Sequence, residues 1–175
     1  MTFSLYAATV PTKLQILQSI VGLIDKAEDH CADQGFPPAT LIDARIAEDM
    51  FPFAFQIKSV AGHSLGAIEG ALKGIFSPDI TPAPASFGGL RAMLVAAIEG
   101  LSAIDPETVN GLVGKDMRFS FRDHHMDFLT EDFLLSFSQP NFYFHATTAY
   151  DILRMQGLPI GKRDFSGQMR MRVTG

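Results

Sequence analysis

Apolar positions in the first thirty residues recur at helical spacing. Val10, Leu14, Leu17, Val21 and Ile24 follow steps of four and three, and Ile16, Ile20 and Leu23 widen the stripe. The pattern predicts an amphipathic helix with Thr9 as N-cap, Pro11 in its first turn and an end near Cys31, ahead of Gly35 and the Pro37-Pro38 pair. Residues 39–50 read as a connection with room for one short helical turn. A second helix is predicted over about 52–73, with Phe53, Ile57, Val60, Ala61, Ile68 and Leu72 on one broad side. It also carries Gly62, Gly66 and Gly70, one per turn. Each glycine costs a helix about 1 kcal/mol against alanine. The spacing therefore implies a local reason, either close backbone packing within the fold or a dimer, or a ligand approaching the backbone.

The three-proline loop SPDITPAPAS is a stiff connector, after which Ser86 is a candidate N-cap and Leu90, Leu94, Ala97 and Leu101 mark a third helix ending near 102. The period then changes from helical to alternating. In MRFSFR, Phe119 and Phe121 alternate with polar neighbours, and MDFLTEDF follows the turn-like Asp123-His124-His125, so a β-hairpin is expected within about 115–131. A lone hairpin is marginal in water and must pack on the helices. A short helical turn in EDFLLSF precedes the last helix, predicted over 140–156. Its apolar centre is Phe142, Ala146, Ala149 and Leu153, its polar stripe Thr147, Asp151 and Arg154, and its stop Gly157 with Pro159. His145 falls beside the apolar stripe and is expected to point into the core.

Composition narrows the class. At 175 residues the chain suits one domain spanning 1–175, and 47% hydrophobic with 19% charged residues excludes extended disorder. The surplus apolar surface is expected to line a ligand cavity or a subunit interface. No secretory signal pattern opens the sequence, and the longest clean apolar runs, such as 92–98, are far shorter than the roughly 20 residues a bilayer needs. A cytoplasmic protein with no membrane partner is expected. The single cysteine, Cys31, has no disulfide partner and reads as an inert, buried thiol. A net charge of −5 disfavours nucleic-acid binding. The basic tail over about 158–175, together with Arg154, is expected to lie on an acidic surface of its own fold or of a subunit.

Three stretches, YAATVPTKLQILQSI near the N-terminus, ARIAEDMFPFAFQIKSVAGH at 44–63 and PNFYFHATTAYDILRMQGLPIGKRDF at 140–165, resemble an uncharacterised bacterial family of unknown function grouped with the DinB-like and YfiT-like helical bundles. The resemblance spans most of the chain. It implies an all-α, DinB-like four-helix bundle with a crossover connection, here with the hairpin inserted before the last helix, and a homodimer. The wider superfamily includes metal-dependent enzymes, thiol-dependent transferases and isomerases among them. Their metal is held by three histidines, one on the second helix and two spaced by four on the fourth. Onto this chain His63 corresponds to the first and His145 to the second, and Ala149 stands where the third belongs.

Two imidazoles fall one short of the three protein ligands of a catalytic zinc site. Completing a zinc or nickel site would take His124, His125, Glu48 or Asp49. The other readings of His145 are a structural histidine bonded to Tyr150 or a threonine, and an acid/base catalyst. No nucleophile elbow, phosphate loop, dinucleotide fingerprint or paired CxxC is present. The sequence therefore names no reaction, and whether the chain is an enzyme stays open. Three functions remain: a divalent-metal enzyme using His63 and His145, a binding protein holding a small apolar ligand between the second and fourth helices beside Phe142 and Tyr150, and a dimeric interaction protein.

Overall fold

The computed structural model describes residues 4–172. The last three residues of the basic tail lie outside that range. Helix α1 (Leu5–Gln34) starts one turn earlier than the periodicity predicts, because Ser4 accepts from the Ala7 N–H as N-cap. Thr9, the expected cap, instead donates its hydroxyl to the Leu5 carbonyl at 2.7 Å. Gly35 ends the helix at φ 69°, a left-handed conformation that costs glycine little, and the Phe36 N–H reaches back to the Cys31 carbonyl. The buried stripe runs through Val10, Lys13, Leu17, Ile20, Ile24, Ala27 and Cys31, while Leu14 and Val21 lie half-buried at its edge. Helix α1 is long and apolar enough to cross a membrane by length and composition, although it holds no uninterrupted apolar run of that length, and here its stripe forms part of the core.

After the short α2 (Ala39–Ile42), the second helical run comprises α3 (Phe53–Ala61), a π segment (Gly62–Gly66) and α4 (Ala67–Lys73). The predicted helix is thus present but widened at its centre. Strand β1 (Ile75–Phe76) follows, then α5 (Phe87–Ser102), whose cap Ser86 accepts from the Gly89 N–H at 3.1 Å, and α6 (Pro106–Asn110). Leu90, Leu94, Ala97 and Leu101 are all buried, as their spacing predicts. The hairpin consists of β2 (Asp116–Phe121) and β3 (His124–Leu129), turning at Arg122 with φ 52°. It is not isolated: β1 pairs parallel with β2, placing Ile75 opposite Arg118, so the sheet has three strands in the order β1-β2-β3. The fold is therefore mostly helical with a small sheet.

The helical turn expected before the last helix is continuous with it. Helix α7 (Thr130–Asp132) leads into a second π segment (Phe133–Ser138) and then α8 (Gln139–Met155). Helix α1 packs against α5 and α8, and α3 packs against the same two, so α1 and α3 face each other diagonally across the core. The C-terminal segment returns along α1 through α9 (Lys162–Ser166). There Gln15 Nε2 donates to the Ser166 carbonyl at 2.7 Å and Lys26 pairs with Asp164. The tail's single acid thus meets a base of α1, the reverse of the charge pairing its composition suggests.

Candidate functional site

Both π segments lie at the same level of the core, and they touch. Ser138 Oγ, at the end of the second, donates to the His63 carbonyl in the first at 3.0 Å. A π segment inserts one extra residue into a helical turn and re-aims the side chains around it, a device frequent at functional sites. Here it turns the half-buried His63 ring onto Phe76 and Phe137, with centroids 5.5 Å and 5.9 Å away. The His145 ring lies nearly parallel to it, 5.9 Å between centroids and 14° between planes. The two histidines singled out from the sequence are brought together.

Each imidazole is neutral for an identifiable reason. Burial lowers His63 from 6.5 to about 3, and the neighbouring charges of His145 and Lys13 act in the same direction. Burial alone brings His145 down to about 4. His145 Nδ1 lies 2.7 Å from Gln56 Oε1, and the Gln56 amide nitrogen donates to the Phe51 carbonyl at 2.8 Å. Since that nitrogen is already engaged, the oxygen must face the ring, so His145 carries its proton on Nδ1 and keeps the Nε2 lone pair. The bonded partner is Gln56, not Tyr150 or a threonine. The His63 Nδ1 is buried with no partner among the described residues.

His63 also opens onto a cavity of about 280 Å³ walled by Phe55, Phe76, Gly62 and Gly66. One side is held by Lys58, which reaches Asp79 at 3.1 Å and the Thr81 carbonyl, tying the loop after β1 to α3. The Thr81 N–H and hydroxyl, with Lys58 beside them, hold the Asp79 carboxyl below its usual range. The glycine stripe serves two ends. At Gly70 a Cβ would come within 2.9 Å of Phe76 Cβ, so this glycine admits the β1 backbone, whereas at Gly62 a Cβ would meet nothing within 4 Å. Outside the cavity Phe51 stacks on Phe55 at 4.0 Å, and Phe55 and Phe144 flank His145 edge-on.

The remaining candidates lie elsewhere. Phe142 is wholly buried and packs on Tyr143, and Tyr150 packs on Phe165 of α9, so neither reaches the cavity wall. His124 and His125 are exposed on β3, and Glu48 and Asp49 are exposed on the connection before α3. Among the described residues no group of three His, Cys, Asp or Glu side chains is placed to hold a metal. Ala149 is fully buried where the third histidine would stand. This donor set does not fit a three-ligand zinc or nickel centre.

The sequence reading missed Lys13 and Gln56. Lys13 is 1% exposed, its side-chain nitrogen has no hydrogen-bond partner among the described residues, and burial lowers it from 10.5 to about 7. The signal was present. Lys13 stands between Val10 and Leu17 at steps of three and four, inside the apolar stripe, just as Gln56 stands one turn before Val60 on the face of α3 that is buried.

Comparison with known proteins places this geometry. Among solved structures, the crystal structure of a DinB family member protein from Shewanella denitrificans superposes with a TM-score of 0.80 at 22% identity, covering 97% of this chain and 96% of that one. At that identity the likeness speaks for the fold. No curated protein matches the chain. A family model described as a domain of unknown function, DUF1993, matches residues 5–166, and the chain belongs to that family.

Proposed function

We propose that this chain takes up a small, apolar-bodied molecule in the cavity before His63, with the imidazole pair as the polar element of the site. In this reading the four long helical runs form a DinB-like four-helix bundle with a crossover connection, acting in the cytoplasm. The observation that carries it is a neutral His63 stacked on a neutral His145 and facing a cavity walled by Phe55 and Phe76. Aromatic walls suit an apolar body, and a neutral imidazole offers one donor and one acceptor to a single polar group on it.

Thermal unfolding in the presence of small aromatic and aliphatic alcohols, amides and carbonyl compounds tests this reading. A saturable rise in Tm with at least one compound is expected, because a ligand bound only to the folded state stabilises it. The rise should vanish in Gly62→Leu, whose side chain enters the cavity from a helical position with open space before it. A flat response of the unsubstituted protein across the panel contradicts the proposal. The homodimer implied by the family resemblance belongs to the same reading, and sedimentation velocity tests it.

A further inference from the structure

The connection between β1 and α5, residues 77–86, forms the outer wall of the His63 cavity through Ser77, Pro78 and Asp79. Pro78, Pro82 and Pro84 stiffen it, so it moves as a piece. At one end β1 is paired with β2. At the other Ser86 caps α5, and Pro84 packs so closely on Gly89 that a Cβ there would lie 2.8 Å from Pro84 Cβ. Between those ends one side chain of the helices holds it. Lys58 Nζ pairs with Asp79 Oδ2 at 3.1 Å and donates to the Thr81 hydroxyl at 3.1 Å and to the Thr81 carbonyl. Among the described residues no other hydrogen bond ties residues 77–85 to the rest of the chain. Three oxygens of the connection thus surround the buried ammonium, matching its three N–H donors. The Thr81 N–H and hydroxyl in turn donate to the two Asp79 oxygens at 2.8 Å and 2.9 Å. The knot is closed on itself, so Lys58 is placed to hold the wall and has no donor left for a ligand.

We propose that Lys58 is a latch: it holds residues 77–86 as a strap across the cavity and so sets the size of molecule that enters. The proposal rests on the binding reading above and names its ligand class. An apolar cavity of about 150 Å³ takes one benzene ring. The cavity of about 280 Å³ before His63 therefore suits a body of up to two fused rings, seated between Phe55 and Phe76 over the open floor at Gly62. Three rings overfill it while the strap is down. Lifting the strap leaves Lys58 a buried cation without acceptors, which keeps the closed arrangement dominant. With the latch removed, the stiff connection lifts between its two anchored ends and the wall recedes.

Benzyl alcohol, 2-naphthalenemethanol and 9-anthracenemethanol carry the same hydroxymethyl group on one, two and three rings, and titration calorimetry of the full chain with each tests the latch. The first two should bind, and the three-ring alcohol should bind at least about tenfold more weakly than the two-ring one, because it overpacks the cavity. Lys58→Met should bring those two affinities within about threefold of each other. Asp79→Asn combined with Thr81→Val, near-isosteric changes on the exposed strap, should shift the size limit in the same direction without touching the core. Variants that keep the parent's size limit, even with a lowered Tm, overturn the latch and leave the binding reading standing, as does a parent that binds all three alcohols alike. A parent that binds none of them counts against both.

Discussion

His145 Nδ1–H donates to Gln56 Oε1 at 2.7 Å, which ties α8 to α3 across the core at the level of the cavity. Both partners are largely withdrawn from water, so neither finds a substitute when the other is removed. Gln56→Leu should therefore destabilise the fold by about 1–3 kcal/mol, the cost of a buried donor left unmade. Urea unfolding at pH 7 measures it. An unchanged midpoint would mean that the bond contributes nothing.

The pH dependence of stability follows from the same cluster. His63 titrates near 3 and His145 near 4 in the folded chain, against 6.5 when unfolded. Within that window the unfolded chain binds protons that the folded chain refuses, so stability is fully present above 6.5 and falls as pH falls toward 3. The urea midpoint should drop between pH 7 and pH 5, before carboxylates titrate, and His63→Phe should flatten the drop. A midpoint independent of pH over that range would contradict the neutral pair.

Lys13 acts in the same sense at higher pH. Its folded value near 7 lies below 10.5, so stability rises with pH between them. Lys13→Met, which keeps the length and removes the amine, should be more stable at pH 7, on the order of a few kcal/mol. The advantage should narrow as pH rises toward 9. Comparing variant with parent cancels the opposing effect of the Cys31 thiol and Tyr143 phenol, both pushed up by burial.

The glycine stripe makes a paired prediction. Gly62→Ala, at a helical position with open space before it, should stabilise by up to about 1 kcal/mol. Gly70→Ala, whose Cβ meets Phe76 Cβ at 2.9 Å and the Ile75 carbonyl at 3.1 Å, should destabilise by about 1–3 kcal/mol. Chemical denaturation of both variants checks the signs.

Helical periodicity located the long runs because their apolar stripes are buried as spaced, Leu90 through Leu101 above all. It put His145 beside a buried stripe for the same reason, whereas its meeting with His63 was implied by the family resemblance alone. What escaped it was long-range. The parallel pairing of Ile75 with Arg118 joins segments forty residues apart, and a two-residue strand carries no period of its own. The π segments also leave no periodic mark, since one extra residue shifts a stripe without erasing it. A helical projection gives direction but not depth, so it does not separate the pocket residues expected at Phe142 and Tyr150 from packing residues. Phe142 lies too deep, and Tyr150 is covered by Phe165. Lys13 is legible in principle as a basic residue inside an apolar stripe, but lysines on long helices are so often solvated that periodicity alone does not mark it as buried.

The proposed binding rests on a neutral His63 that lines the cavity and stacks on a neutral His145. Imidazole nitrogen-15 chemical shifts test it most directly, recorded from pH 7 to pH 5 with and without one equivalent of zinc. Both rings should keep the neutral pattern throughout, with His145 protonated on Nδ1, and zinc should leave them unmoved. Protonated rings at pH 6, or stoichiometric zinc shifts at both histidines, would contradict the account.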